Sequence, residues 1–212
     1  MPPEPIVLGF DTSAAHCAAA VVSGLRTLAW RIEPMEKGQA ERVMLLLAET
    51  LAEAGVGYRD LAGVGVGIGP GNFTGVRISV AAARGLALTL GVPAIGVSIF
   101  DALALDGPID VVTLIDARRD ALWLSSEGLV ARQVTLNDLP PEIAGRAVIG
   151  HRANKVAVLI GGHALVPALP LPVAIARIAA TRLGTPQPRP VPLYLRGADA
   201  APPRDPPPVI LP

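Results

Sequence analysis

The chain has 212 residues, 51% of them hydrophobic and 3% aromatic, so its core must be built from aliphatic side chains. That length suffices for one large or two small domains. The formal net charge of +0 argues against a protein that grips nucleic acid alone, because such a protein needs a basic surface. The single cysteine, Cys17, is typical of a reducing compartment, and its apolar neighbours predict a buried, inert thiol.

Two features of the sequence bear on location. Residues 1–5 lack the basic and apolar segments of a secretion signal. Residues 156–176 form an uncharged stretch long enough to cross a bilayer, but its two glycines and three prolines argue against a continuous membrane helix. A cytoplasmic protein with no membrane partner is therefore predicted.

Apolar patterning predicts an α/β chain whose elements alternate along the sequence. In the first half, strands are expected at 6–10, 17–22, 25–32, 64–68 and 93–97, and helices at 39–54, 73–90 and 99–105. In the second half, strands are expected at 111–115 and 121–125 and a helix at 173–183, with weak patterning over 127–155. A proline-rich tail, 199–212, is expected to be disordered.

The turn at residues 69–72, Gly-Pro-Gly-Asn, joins a predicted strand to a predicted helix. Such a turn can present backbone N–H groups to a phosphate. The spacing fits neither a dinucleotide fingerprint nor a P-loop, because Gly75 comes one residue late and no lysine follows it. Phosphate binding and a purely structural turn both stay open on the pattern alone.

The chain also begins twice in the same way. Each half opens with an apolar run, an aspartate (Asp11 or Asp116), two turn residues and a second apolar run. This similarity predicts two related lobes. In the functional interpretation the aspartates handle Mg²⁺ and phosphate; in the structural one each caps a β-turn, which is favoured here.

Four segments together resemble the bacterial tRNA threonylcarbamoyladenosine biosynthesis protein family TsaB. The most specific is GPGNFTGVRISVAAARGLAL at 69–88, and shorter similarities lie at 6–13, 114–118 and 192–196. The resemblance implies a two-lobed, duplicated ribonuclease-H-like α/β fold, as in actin, sugar kinases and Hsp70. The lobes are expected at 1–105 and 106–198.

The same resemblance implies a non-catalytic partner subunit. In this family the chain binds and supports the catalytic paralogue TsaD, together with the ATPase TsaE, in threonylcarbamoyl transfer to adenosine 37 of tRNA. ATP is then used by the complex, tRNA is reached only through it, and this chain itself binds no cofactor. When alone, the chain is expected to form a homodimer.

No metal site is predicted. TsaD carries a His-x-x-x-His pair, and the aligned positions here are Ile99 and Leu103, neither of which can bind a metal. Many TsaB members also have a histidine at the start of the first long helix, where this chain has Gln39.

Two sets of site residues follow. The possible phosphate-facing loop comprises Asp11, Thr12, Gly69, Gly71, Thr74 and Gly75. If it bound ATP, the chain would be a kinase of the sugar-kinase class, which is the alternative to the accessory role; a homodimeric scaffold is the third possibility.

The two long helices of the first half carry more apolar surface than one core-facing stripe needs. The expected partner interface comprises Val43, Met44, Leu45, Leu47, Ala48, Gly75, Ser79, Ala82 and Leu86. Met44, Leu45, Ser79 and Ala82 are expected at its centre. The alternative is that the second apolar stripe lies under the protein's own loops.

Overall fold

Two five-stranded sheets organise residues 4–195, the part of the chain that the computed structural model describes. The first half contains β1 (Ile6–Asp11), β2 (His16–Ser23), β3 (Arg26–Pro34), α1 (Gln39–Glu53), β4 (Leu61–Gly67), α2 (Phe73–Leu90), β5 (Ala94–Val97) and α3 (Ile99–Ala104). The second contains β6 (Val112–Asp116), β7 (Ala121–Ser126), β8 (Leu129–Thr135), β9 (Ala147–Gly150), α4 (Ala153–Ile160), β10 (His163–Leu165) and α5 (Leu171–Thr181). The predicted tail, 199–212, lies outside the described residues.

The two sheets share one topology. Their strand orders are β3-β2-β1-β4-β5 and β8-β7-β6-β9-β10, so the second repeats the first. In each, the first three strands pair antiparallel, and the first strand then pairs in parallel with the fourth. The duplicated ribonuclease-H-like fold expected from the sequence is therefore confirmed.

Helices α1 and α2 cover one face of the first sheet. Val43, Leu46 and Leu47 of α1 and Ala83 of α2 belong to a core cluster with inward side chains of β1, β2 and β4. Asn72 caps α2, since its Oδ1 accepts hydrogen bonds from two amides of the first turn, and Gly91 ends the helix at φ 69°. The two helices pack against each other.

Helix α5 covers the opposite face of the first sheet. The glycines of β1 and β4 that face it make a close approach possible: a Cβ at Gly9 would lie 2.6 Å from the Ala176 nitrogen, and one at Gly65 would lie 2.7 Å from the Ala179 Cβ. This packing corrects the lobe boundary at 106–198, because α5 joins the first lobe's core although it follows the second lobe in the chain.

The second lobe contains elements that the sequence did not predict. Strand β8 has one buried residue, Val134, so its apolar pattern is faint. Strands β9 and β10 have 4 and 3 residues, too few to show a period, and α4 has 8. Helix α3 packs against β6 and β9 as well as α5, and this contact joins the two lobes.

By length and composition alone, helix α2 could cross a membrane. It is the only helix within residues 4–195 that is long and apolar enough. A core helix of a globular protein meets the same criterion, and 33% of α2 is buried within the protein. The predicted absence of a membrane partner stays a prediction.

Candidate functional site

Asp11 ends β1 inside the protein and caps the turn that follows. Its side chain is 0% exposed. Its Oδ2 accepts hydrogen bonds from the Ser13 amide and hydroxyl, both at 2.9 Å, and lies 2.8 Å from His16 Nε2. The turn-capping interpretation is therefore confirmed. His16 was not predicted to take part; its position as the polar first residue of an apolar strand was the available signal.

The other carboxylate oxygen of Asp11, Oδ1, is buried and has no hydrogen-bond partner within the described residues. It packs against the backbone of Gly67 at the end of β4, where any Cβ would overlap it. The carboxylate is thus enclosed on both sides by its own lobe, which keeps it away from solvent.

The glycine turn after β4 packs directly against the turn after β1. Thr12 Oγ1 donates to the Gly75 carbonyl at 2.7 Å, and the Asn72 amide donates to the Ser13 carbonyl at 2.6 Å. A Cβ at Gly71 would overlap the Ser13 carbonyl oxygen, and one at Gly75 would overlap that of Thr12. Glycine is needed here for close backbone approach; the left-handed residue of this turn is Gly69, at φ 91°.

These contacts already occupy most of the side chains and backbone amides that could face a phosphate. Of the predicted loop residues, only Gly71 and Thr74 are exposed, whereas Asp11, Thr12, Gly69 and Gly75 are buried. The amides of Thr74 and Gly75 already bond to Asn72 Oδ1, at 3.1 and 3.5 Å. The turn after β1 and the turn after β4 therefore pack against each other and leave Gly71 and Thr74 as the exposed residues of the predicted loop.

The predicted partner interface divides into buried and exposed residues. Val43 and Leu47 are 2% and 0% exposed and lie in the first lobe's own core. Gly75 is buried under Thr12, and Ser79, 0% exposed, donates to the Gly67 and Val76 carbonyls. These residues are therefore corrected to structural ones: along this part of α2 the protein covers its own second apolar stripe.

The exposed part of that set remains on the outer side of the two helices. Leu45 is 60% and Met44 is 43% exposed, and Ala48, one helical turn after Met44, is exposed as well. Ala82 and Leu86 of α2 are half-buried at the edge of the core cluster. This apolar strip of α1 and α2 (Met44, Leu45, Ala48, Ala82 and Leu86) is the surface that can face another chain.

A cation–aromatic cluster lies at the start of α2. The Arg77 guanidinium carbon sits 3.7 Å from the centroid of the Phe73 ring, and Arg77 Nε donates to the Tyr194 hydroxyl at 2.9 Å. The Leu193 amide donates to the Ile68 carbonyl at 2.8 Å. The segment near residue 194 is thereby fixed beside the glycine turn, which brings two of the motifs noted in the sequence together.

The positions aligned with the metal ligands of TsaD are apolar core positions. Ile99 is 5% exposed and Leu103 is half-buried between the lobes. Within residues 4–195 no three side chains of metal-binding type converge. Gln39, in place of the histidine, is buried and donates from Nε2 to the Met35 carbonyl at 2.9 Å.

Comparison with known proteins shows which proteins this chain is similar to. The profile of the family described as TsaD, tRNA N6-adenosine threonylcarbamoyltransferase, matches residues 33–189. Rv3421c of Mycobacterium tuberculosis, an uncharacterized protein, is 32% identical over 201 residues, 92% of this chain and 94% of that one. TsaB of Haemophilus influenzae is 30% identical over 152 residues, 69% of this chain and 62% of the relative.

Solved structures agree on the fold. YeaZ from Pseudomonas aeruginosa superposes with a TM-score of 0.69 at 24% identity and covers 89% of this chain and 100% of that one. The ethanolamine utilization protein EutJ from Carboxydothermus hydrogenoformans gives a TM-score of 0.54 at 14% identity over 84% of this chain and 90% of that one.

The fold and the site define a duplicated ribonuclease-H-like protein in which the turn after β1 packs against the turn after β4. The profile match and the relatives supply the family: the chain belongs to the TsaB (YeaZ) family of tRNA threonylcarbamoyladenosine biosynthesis proteins. A role in that biosynthesis is the function that family membership supports.

Proposed function

We propose that the chain is a non-catalytic partner subunit in the formation of N6-threonylcarbamoyladenosine at position 37 of tRNA. It binds the catalytic paralogue TsaD and keeps it active, the ATPase TsaE joins them, and the complex uses ATP and tRNA in the cytoplasm. The chain alone contributes no cofactor to this reaction. Alone, it forms a homodimer through the surface that TsaD covers in the complex.

The observation that supports this proposal is the apolar strip of α1 and α2. Leu45 and Met44, both on α1, keep 60% and 43% of their surface exposed, and α1 packs against α2, where Ala82 and Leu86 are half-buried. Large apolar side chains grouped on one face are costly to leave in water, and such patches mark protein interfaces. A second pair of helices, from a copy of the chain or from TsaD, would bury them.

The enclosed turns favour this role over a kinase. A kinase would need Asp11 and the loop amides to reach Mg²⁺ and phosphate. Here Asp11 is 0% exposed and hydrogen-bonded within its own turn. Measurable ATP hydrolysis by the isolated chain that Asp11→Ala abolishes would support the kinase instead.

The direct test places a charge on the strip. A carboxylate desolvated in an interface without a partner costs roughly several kcal/mol, so Leu45→Asp should give a folded monomer that no longer binds TsaD or supports tRNA modification. The matched control is Val130→Asp, because Val130 is 88% exposed on the second lobe. Sedimentation, a TsaD pull-down and circular dichroism report assembly, binding and folding. A folded Leu45→Asp variant that still dimerises and still binds TsaD would place the interface elsewhere.

A further inference from the structure

The β6–β7 turn holds two arginines on an unusual backbone. Arg118, Arg119 and Asp120 have φ values of 61°, 49° and 58°, in the left-handed region that side-chain-bearing residues seldom adopt. Asp116 fixes the start of the turn, since its Oδ1 accepts a hydrogen bond from the Arg118 amide at 2.9 Å. Both arginine side chains are exposed, and within residues 4–195 neither lies at ion-pair distance from a carboxylate.

Two more cations lie beside this turn, Arg152 just before α4 and Lys155 in its first turn. Arg152 Nη2 donates to Asp120 Oδ1 at 2.8 Å and so fixes the turn against the start of the helix. Lys155 follows three residues later, and its charge, after the hydrogen bond and charge of Arg152, helps to lower the pKa of Asp120. The basic patch therefore comprises Arg118, Arg119, Arg152 and Lys155.

The basic patch has more cations than neighbouring carboxylates. Its four cations have two carboxylates beside them, Asp116 and Asp120. Asp116 accepts a hydrogen bond from the Arg118 amide, and Asp120 accepts one from Arg152. In the first lobe, by contrast, Arg42 bonds to Glu33 and Glu49, and Arg31 bonds to Glu49 and Glu53. A surplus of exposed cations at one place suits a polyanion.

A groove continues the patch along α4. It has a volume of about 620 Å³ and is lined by Arg152, Asn154 and Lys155 on one side and by the apolar residues Ala164, Leu165, Val166 and Pro167 on the other. The guanidinium and ammonium groups of the first wall suit the phosphates of a nucleic acid.

We propose that the basic patch contacts the sugar–phosphate backbone of the tRNA while the complex modifies it. The proposal rests on the proposed function, since the partner assembled on α1 and α2 brings the tRNA to the chain. The patch shares no residue with the apolar strip, so one surface holds the partner and the other holds the RNA. The overall charge of +0 is compatible with this, because the cations are concentrated locally.

Charge reversal in the turn tests the proposal. The full-length chain, assembled with TsaD and TsaE, is titrated with fluorescent unmodified tRNA at several salt concentrations. Arg118→Glu with Arg119→Glu should weaken tRNA binding about tenfold or more and flatten the dependence of log Kd on log salt by roughly 1–2, because each phosphate contact contributes about 0.7–0.9. The neutral double variant, Arg118→Gln with Arg119→Gln, should lose an intermediate amount of tRNA affinity. Melting curves confirm folding.

The matched control is Arg26→Glu with Arg59→Glu, which makes the same charge change at two exposed arginines of the first lobe; its tRNA affinity should stay within twofold of wild type. The proposal is overturned if the turn variant also stays within twofold, or if it loses binding of TsaE while keeping its affinity for tRNA.

The failures of the two proposals can be told apart. If the wild-type chain does not bind TsaD, the proposed function is wrong. The RNA contact then fails with it, because the assembled complex brings the tRNA to the chain. A complex that assembles and modifies tRNA with unchanged affinity contradicts the basic patch alone.

Discussion

Asp11 occupies a position typical of Mg²⁺ binding but caps a turn in this protein. In its place at the end of β1 an aspartate could hold Mg²⁺, yet here it accepts two hydrogen bonds from Ser13 and contacts His16. Thr12 is likewise used, as a donor to Gly75. The sequence position of these residues was predictable, but the contact between two turns 63 residues apart was not.

Cys17 supplies a prediction about pH. Burial, with a smaller contribution from the charge of Glu33, raises the pKa of its thiol from 9.0 to about 11. Between these values the unfolded thiol ionises while the folded one stays protonated, so the folded chain binds more protons and its stability falls as pH rises. The contribution is at most about 1.4 kcal/mol per pH unit.

The measurement compares the free energy of unfolding of wild type and Cys17→Ala at pH 8 and pH 10.5. The advantage of the wild type should shrink at the higher pH, because the variant lacks the thiol. Parallel behaviour of the two proteins across this range would show that the folded thiol ionises normally.

Among the elements, α5 depends on glycine spacing in the sheet beneath it. A Cβ at Gly65 would lie 2.7 Å from the Ala179 Cβ and 3.1 Å from the Ile175 carbonyl oxygen. Gly65→Ala should therefore destabilise the protein by about 1–3 kcal/mol, as overpacking of a core does. Denaturant unfolding measures the change.

Gly85→Ala on α2 is the control, since nothing lies within 4 Å of its added Cβ and alanine favours a helix by about 1 kcal/mol. If Gly65→Ala unfolds at the same denaturant concentration as wild type, α5 does not pack as closely as the structure shows.

The elements differ in how well their sequence predicts them. Helices α1 and α2 have 15 and 18 residues and clear periodicity, so their existence and approximate bounds followed from the sequence. The elements β9, α4 and β10 are short, and their core contacts come from other parts of the chain. Local patterning carries little information about such elements.

At the scale of the whole molecule, the alternating glycines of β4 indicate more than a strand. Their common face allows a helix to pack closely, and that helix is α5 from the far end of the sequence. The buried part of the predicted interface was wrong for a related reason. Val43, Leu47 and Ser79 lie on apolar or small-residue stripes, and a stripe alone does not distinguish a core from an interface.

We propose that the apolar strip of α1 and α2 binds TsaD. Hydrogen–deuterium exchange of the full-length chain, with and without TsaD, tests it at the resolution of elements. We expect new protection to concentrate in peptides covering α1 and the outer face of α2, around Met44, Leu45 and Ala82, with β7, β8 and α4 unchanged. Protection confined to the second lobe, or no protection of α1 in a formed complex, would show that TsaD does not bind the apolar strip.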